Sequence, residues 1–188
     1  MKKALAISGM LAAALLTACS HKPALTSYGP VPDFVLTDQT GQPFHSAQSL
    51  NGRVWLANFI FTNCMGPCPR MTSQMKQVFA TAKGGADLQV VTFTIDPDRD
   101  TPEVLAAYAK RFQADPKNWH FLTGSRGDLR KLSWDTFHLS DVGGALEHST
   151  RFVLMDRKSQ IRGYYETSDS ESIAKLLEDI QTVAKEST

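Results

Sequence analysis

This 188-residue sequence predicts an α/β fold, a central sheet flanked by helices. Three observations carry the prediction. Two continuous apolar runs, VWLANFIF at 54–61 and LQVVTFTI at 88–95, lack the alternation of a half-exposed strand and fit strands buried on both faces. Between them Met71, Met75, Val78, Phe79 and Ala82 recur at helical spacing, which makes a strand–helix–strand unit with a right-handed parallel crossover. Beyond them, helical and strand-like stretches keep alternating to the C-terminus.

Taken in order, the chain begins with a segment apart from the fold. Lys2 and Lys3 precede a mostly apolar stretch at 4–16, shorter than the roughly 20 residues of a membrane-spanning helix. Small residues then lead into LTAC at 16–19. Residues 1–18 read as an export signal whose end resembles the bacterial lipobox, with Cys19 as the lipidated new N-terminus. The plainer alternative is a secretory signal with a spare thiol. A diacyl-type anchor would hold the protein, on the extracytoplasmic (periplasmic) side, to a bacterial membrane. Residues 19–32, rich in proline, read as lipid anchor and tether, and 33–188 as one domain.

Within that domain a helix at 70–83 stops at Gly84-Gly85. Thr101 is a natural N-cap with Pro102 in the first helical position, for a helix to about Phe112. Residues 119–122 read as a short strand, and 126–137 as a helix behind Ser125. Residues 151–155 and 161–165 form a strand pair around the polar turn at 156–159. Ser168 with Glu171 has capping-box spacing and opens a final helix to about Lys185.

Charge narrows the function classes. Lys and Arg total 20 against 19 Asp and Glu, with no basic cluster of the kind a nucleic-acid surface needs. The chemistry concentrates instead in FTNCMGPCPRM at 61–71. With Cys19 assigned to the lipid, Cys64 and Cys68 are the only thiols left in the mature domain. An oxidising compartment permits a disulfide between them, but so short a loop restrains the unfolded chain little. A structural staple is the weak reading.

The cysteines fall in the turn between a buried strand and a helix. Free N–H groups and the macrodipole at that helix end favour a thiolate, so the turn predicts a depressed thiol pKa and a sulfur fit for nucleophilic attack or metal binding. Pro67 and Pro69 suit the first helical turn, where a missing N–H does little harm. Dithiol turns so placed belong to thioredoxin-like folds, whose motif has two residues between the cysteines. Here Met65, Gly66 and Pro67 intervene, which still allows a disulfide and widens the bite for a metal. A structural zinc site would want four ligands, whereas Cu(I) prefers thiolates, accepts fewer donors and would suit two thiolates with one imidazole.

Of the five histidines, His21, His45, His120 and His138 read as tether, surface or core residues. His148 follows the flexible Gly143-Gly144 and directly precedes the strand at 151–155. In thioredoxin-like folds the loop at that point faces the dithiol and normally carries a cis-proline; here it reads LEHST at 146–150, so a donor would replace a shield. His148 is the candidate third ligand. The aspartates of DPDRD at 96–100 are not a calcium loop, because Thr101 and Ala107 stand where an EF-hand needs Gly and Glu. They line the site, meet a partner, or simply build a turn and a cap. A peroxiredoxin-type peroxidase is a weak reading, since Phe61 and Met65 stand where its threonine would precede the reactive cysteine.

Three motifs in order, Cys64-Met-Gly-Pro-Cys68-Pro69, Asp96-Pro-Asp-Arg-Asp-Thr-Pro-Glu103 and His148-Ser149 before Leu154-Met-Asp156, resemble the Sco/SenC family over roughly residues 30–185. The resemblance implies a thioredoxin-like fold with a central mixed sheet, and copper, as Cu(I) or Cu(II), held by Cys64, Cys68 and His148. It further implies delivery of copper to, or help in assembling, the dinuclear copper centre of cytochrome c oxidase. The implied partners are the copper-centre subunit of that oxidase, the membrane, and further copper chaperones or thiol reductants. The alternative is a thiol–disulfide oxidoreductase that reduces a partner's metal-binding cysteines, with Cys64 attacking and Cys68 resolving. Met65 reads as a hydrophobic docking contact, with transient thioether contact to copper as the second option. Glu147 stands where family members often have Asp.

Overall fold

A computed structural model describes residues 25–82, 87–139 and 149–186. Cys19 with the export signal, Gly84-Gly85, Gly143-Gly144, Glu147 and His148 lie outside them. The described elements are β1 (Val35–Asp38), β2 (Pro43–His45), α1 (Ser46–Ser49), β3 (Val54–Ile60), α2 (Pro67–Ala82), β4 (Leu88–Thr94) and α3 (Pro102–Arg111). They continue with β5 (Trp119–Thr123), α4 (Arg126–Arg130, running on as a π-helical turn over Lys131–Thr136), β6 (Arg151–Met155), β7 (Ile161–Glu166) and α5 (Ser170–Lys185).

The strands form one mixed sheet in the order β2-β1-β5-β4-β3-β6-β7. β3, β4 and β5 run parallel, and β1, β6 and β7 join antiparallel to their neighbours. Every residue of β3 and β4 is buried, as the two apolar runs require of central strands covered on both faces. On one face Phe137, which follows α4, meets the rings of Trp55, Phe59 and Phe93 edge-on or tilted. On the other, Trp119 Nε1 donates to Thr92 Oγ1 at 2.9 Å, and Thr92 Oγ1 donates to Asn58 Oδ1 at 2.7 Å.

Most helix ends lie where the sequence puts them. Thr101 caps α3 through Val104 N–H, and Ser125 caps α4 through Asp128 N–H. Two differ. α2 begins at Pro67 rather than at 70, because both prolines fit the first turn and bring Cys68 into the helix. α5 is capped by Asp169, whose carboxylate accepts from Glu171 N–H at 2.9 Å, while Ser168 Oγ turns back to Glu166. The hairpin β1–β2 carries no strong apolar signal. It is made by a turn in which Asp38 Oδ1 accepts from Thr40 N–H and Gln42 N–H, with Gly41 at φ +79°.

The N-terminal segment is fastened to the domain. Tyr28 and Val31 N–H donate to the carbonyls of Ile161 and Ser159 at 2.9 and 2.8 Å. The buried guanidinium of Arg162 donates to the carbonyls of Leu25 and Thr26 and pairs with Asp156 and Glu186. This contact lies where Met155 pairs with Trp55, at the start of β3 and therefore at the sheet end opposite the cysteine turn.

Candidate metal centre

β3 ends at Ile60, and the chain turns through residues 61–66 into α2. Cys64 N–H donates to Phe61 O at 3.2 Å and closes the turn. Cys64 is 6% exposed and Cys68 is fully buried; neither is in a disulfide, and their side chains hydrogen-bond to each other. The pair thus lies just beyond the C-terminal ends of the parallel strands, the edge at which α/β sheets place their sites.

Helix α2 and its neighbour hold Cys68. Thr72 Oγ1 donates to Cys68 O at 2.9 Å and stands 2.9 Å from Tyr108 Oη. With the Thr72 proton committed to the carbonyl, the Tyr108 hydroxyl is the donor of the second bond. Tyr108 is buried on α3. Burial pushes its phenol up to about 12, against the Thr72 bond and with the help of the nearby cysteines.

The thiol pKa differs from the expectation of a helix N-terminus. Burial pushes Cys68 up from 9.0 to about 12; the hydrogen bond and charge of Cys64 add to this, and a backbone hydrogen bond at Phe61 pulls the other way. The helix begins three residues earlier than the sequence puts it, and the dithiol still stands at its N-terminus. The correction comes from depth, because a wholly buried sulfur loses more by leaving water than the dipole returns. Cys68 is therefore a protonated thiol at neutral pH, and a metal must displace that proton.

The flanking residues sort clearly. Met65 is 98% exposed, so its thioether stands in solvent at the mouth of the turn, as a docking contact would. Asp96 accepts from Arg99 Nε at 2.5 Å, Asp98 pairs with Arg126, and Asp100 is wholly buried, accepting from Thr62 and Thr94. The spacing of that loop reads as a turn and a cap, and the buried bond from Asp100 to the cysteine turn leaves no mark in it. His45 and His138 are exposed. His120 packs on Phe44 at 4.8 Å, with burial holding its pKa below the ordinary value, so it lies half-buried against the core.

Among the described residues no three His, Cys, Asp or Glu side chains cluster for a metal. Two adjacent thiols suit a soft cation and give a hard one nothing. The third candidate donor, His148, is outside the described residues. The strand that follows it, β6, starts at Arg151, and the register Ala57↔Val153, continued, sets Arg151 beside Phe59, next to the cysteine turn.

Comparison with known proteins agrees with this architecture. The SCO1/SenC family model matches residues 26–185. A SCO1/SenC family lipoprotein from Bacillus anthracis str. Ames is 35% identical, with a TM-score of 0.75 over 84% of this chain and 96% of its own. BsSco, a Sco family cytochrome c oxidase assembly protein with a disulfide switch, is 27% identical, with a TM-score of 0.76 over 87% and 98%. Copper-bound yeast Sco1 is 26% identical, with a TM-score of 0.66 over 85% and 90%. The fold is thioredoxin-like, as these neighbours are. The family match runs from the segment fastened by Arg162 to the last turn of α5 and encloses both the dithiol turn and the DPDRD loop, and the chain accordingly belongs to the SCO1/SenC family.

Proposed function

We propose that this protein is a membrane-anchored, extracytoplasmic copper-binding protein that delivers copper to, or helps assemble, the dinuclear copper centre of cytochrome c oxidase. The observation that carries the reading is the buried, mutually hydrogen-bonded pair Cys64 and Cys68 at the strand ends. Cys64 and Cys68 supply two thiolates, and His148, ahead of a strand that starts beside the turn, supplies the imidazole. Copper, when bound, brings a soft cation that shares these ligands with an incoming donor set, so transfer needs an accessible mouth. The slight exposure of Cys64 and the full exposure of Met65 supply one.

Family membership and the copper carried by yeast Sco1 support the cargo; the assembly role of BsSco supports the recipient, the copper-centre subunit of the oxidase. Cys19 is the lipidation site in this reading, supported by the lipoprotein from Bacillus anthracis. No described helix is long and apolar enough to cross a membrane.

A second reading, a thiol–disulfide oxidoreductase, is favoured by the hydrogen bond between two reduced thiols. Cys64, the more exposed, attacks a partner disulfide, and Cys68 resolves the mixed disulfide. The protein pair gives up two electrons and two protons as its own disulfide forms, and the partner disulfide takes them up and becomes two thiols. Anaerobic Cu(I) titration of the reduced full-length chain against a chromophoric competitor, with His148→Ala and Cys64→Ser alongside, separates the readings. One tight equivalent, weakened in both variants, is expected. Weak, non-stoichiometric binding in all three would overturn the copper reading and leave reduction of a partner disulfide as the activity to assay.

A further inference from the structure

We propose that Asp100 is the positioning residue of the dithiol: through Thr62 its buried carboxylate holds the turn that carries Cys64 at a fixed distance from Cys68. The proposal rests on the reading of Cys64 and Cys68 as metal-holding thiols. The two sulfurs sit on separately anchored pieces of chain. Cys68 is part of α2 and is held through Thr72 and Tyr108. Cys64 lies in an irregular turn, and what ties that turn down sets the separation of the sulfurs.

Asp100 supplies the tie. Its side chain is wholly buried. Oδ1 accepts from Thr62 Oγ1 at 2.5 Å, while Oδ2 accepts from Thr62 N–H at 3.1 Å and from Thr94 Oγ1 at 2.5 Å. One carboxylate thus bridges the turn, two residues before Cys64, to the last residue of β4. Thr94 Oγ1 in turn accepts from Asp96 N–H, and Asp100 N–H donates to Asp96 O, both at 2.9 Å, so the loop that delivers Asp100 is itself fixed. Helix capping does not require this carboxylate, since Thr101 caps α3. Burying it is costly unless its oxygens are filled, and most of the filling comes from the cysteine turn.

The test uses the full-length chain as wild type, Thr62→Val, Thr62→Ser and Asp100→Asn. Thermal unfolding, Cu(I) affinity by competition, and the equilibrium with glutathione disulfide are measured on each. In that equilibrium two protein thiols and one glutathione disulfide give one protein disulfide and two glutathione molecules. Thr62→Val and Asp100→Asn are expected to weaken Cu(I) binding about tenfold or more, as loss of an outer-shell support does, and to lower the disulfide constant in parallel. Thr62→Ser, which keeps the hydroxyl donor, stays within about twofold of wild type. Lowered melting temperatures with both constants unchanged in the folded protein would overturn the proposal. Should Asp100→Asn not fold, Thr62→Val decides alone. If the wild type itself fails to bind Cu(I) stoichiometrically, the copper reading fails, and the disulfide constant still decides for or against Asp100.

Discussion

Burial of Cys68 should show as chemical reluctance that can be measured without any metal. At pH 8 an ordinary thiol of pKa 9.0 is about one-tenth thiolate, whereas a thiol pushed to about 12 is thiolate in roughly one part in ten thousand. That thousandfold deficit is partly offset, because a more basic thiolate is the better nucleophile. With a Brønsted slope near 0.5, three pKa units return about one and a half decades. Cys68 should therefore react roughly thirtyfold more slowly than a free thiol, before its complete burial adds a steric factor. The assay is iodoacetamide alkylation of the reduced, metal-free chain between pH 7 and 10, with peptide mass spectrometry resolving Cys68 from Cys64. The Cys68 rate should climb about tenfold per pH unit throughout. A plateau below pH 9, or a rate equal to that of the denatured chain, would refute the reasoning and restore the thiolate expected at a helix N-terminus.

Two further outcomes test the scaffold. Arg162→Met strips the guanidinium from Asp156, Glu186 and the carbonyls of Leu25 and Thr26. Glu186 is partly wet, so the loss should be about 2–3 kcal/mol, below that of a fully buried pair, read as a shift of the urea midpoint at unchanged slope, with new protease cleavage at 25–31. Gly163→Ala would bring a Cβ to 2.4 Å from Tyr165 Oη and 2.7 Å from its Cζ, while the Tyr165 hydroxyl is held by Asp179 at 2.8 Å. It should cost about 1–3 kcal/mol, whereas Gly127→Ala, whose new Cβ would lie 3.8 Å from Ser125 Oγ, should be neutral or slightly stabilising in the same denaturation series.

The difference between what the chain reveals and what it hides follows from range. β3, β4 and the caps at Thr101 and Ser125 are legible because apolar runs and capping residues act locally. The position of Cys64 and Cys68 at a strand–helix turn is legible for the same reason. The acidity of Cys68 is not, since depth depends on α3 and α5 arriving from far along the chain to cover α2. Asp100 is read as part of a turn because its partners Thr62 and Thr94 are chosen by the parallel pairing of β3 with β4. The hairpin β1–β2 escapes notice because only Leu36 and Phe44 face the core from it, too few to make a period. What remains hidden is the set of contacts that only the assembled sheet creates.

The same sheet keeps the dithiol turn and the Arg162 fastening at opposite ends. β3 spans 7 residues, or roughly 23 Å at strand rise, with the dithiol turn at its far end and the Arg162 fastening near its start. The segment leading back to Cys19 is thus bound at the pole away from Cys64 and Met65. Under the proposed lipid anchor, a recipient can approach the thiols without dislodging the segment that ties the domain to its membrane. A tether fastened beside the dithiol would have competed with the recipient for the same surface. Under the proposed function, release of the N-terminal segment and transfer of the cargo would therefore be separable events.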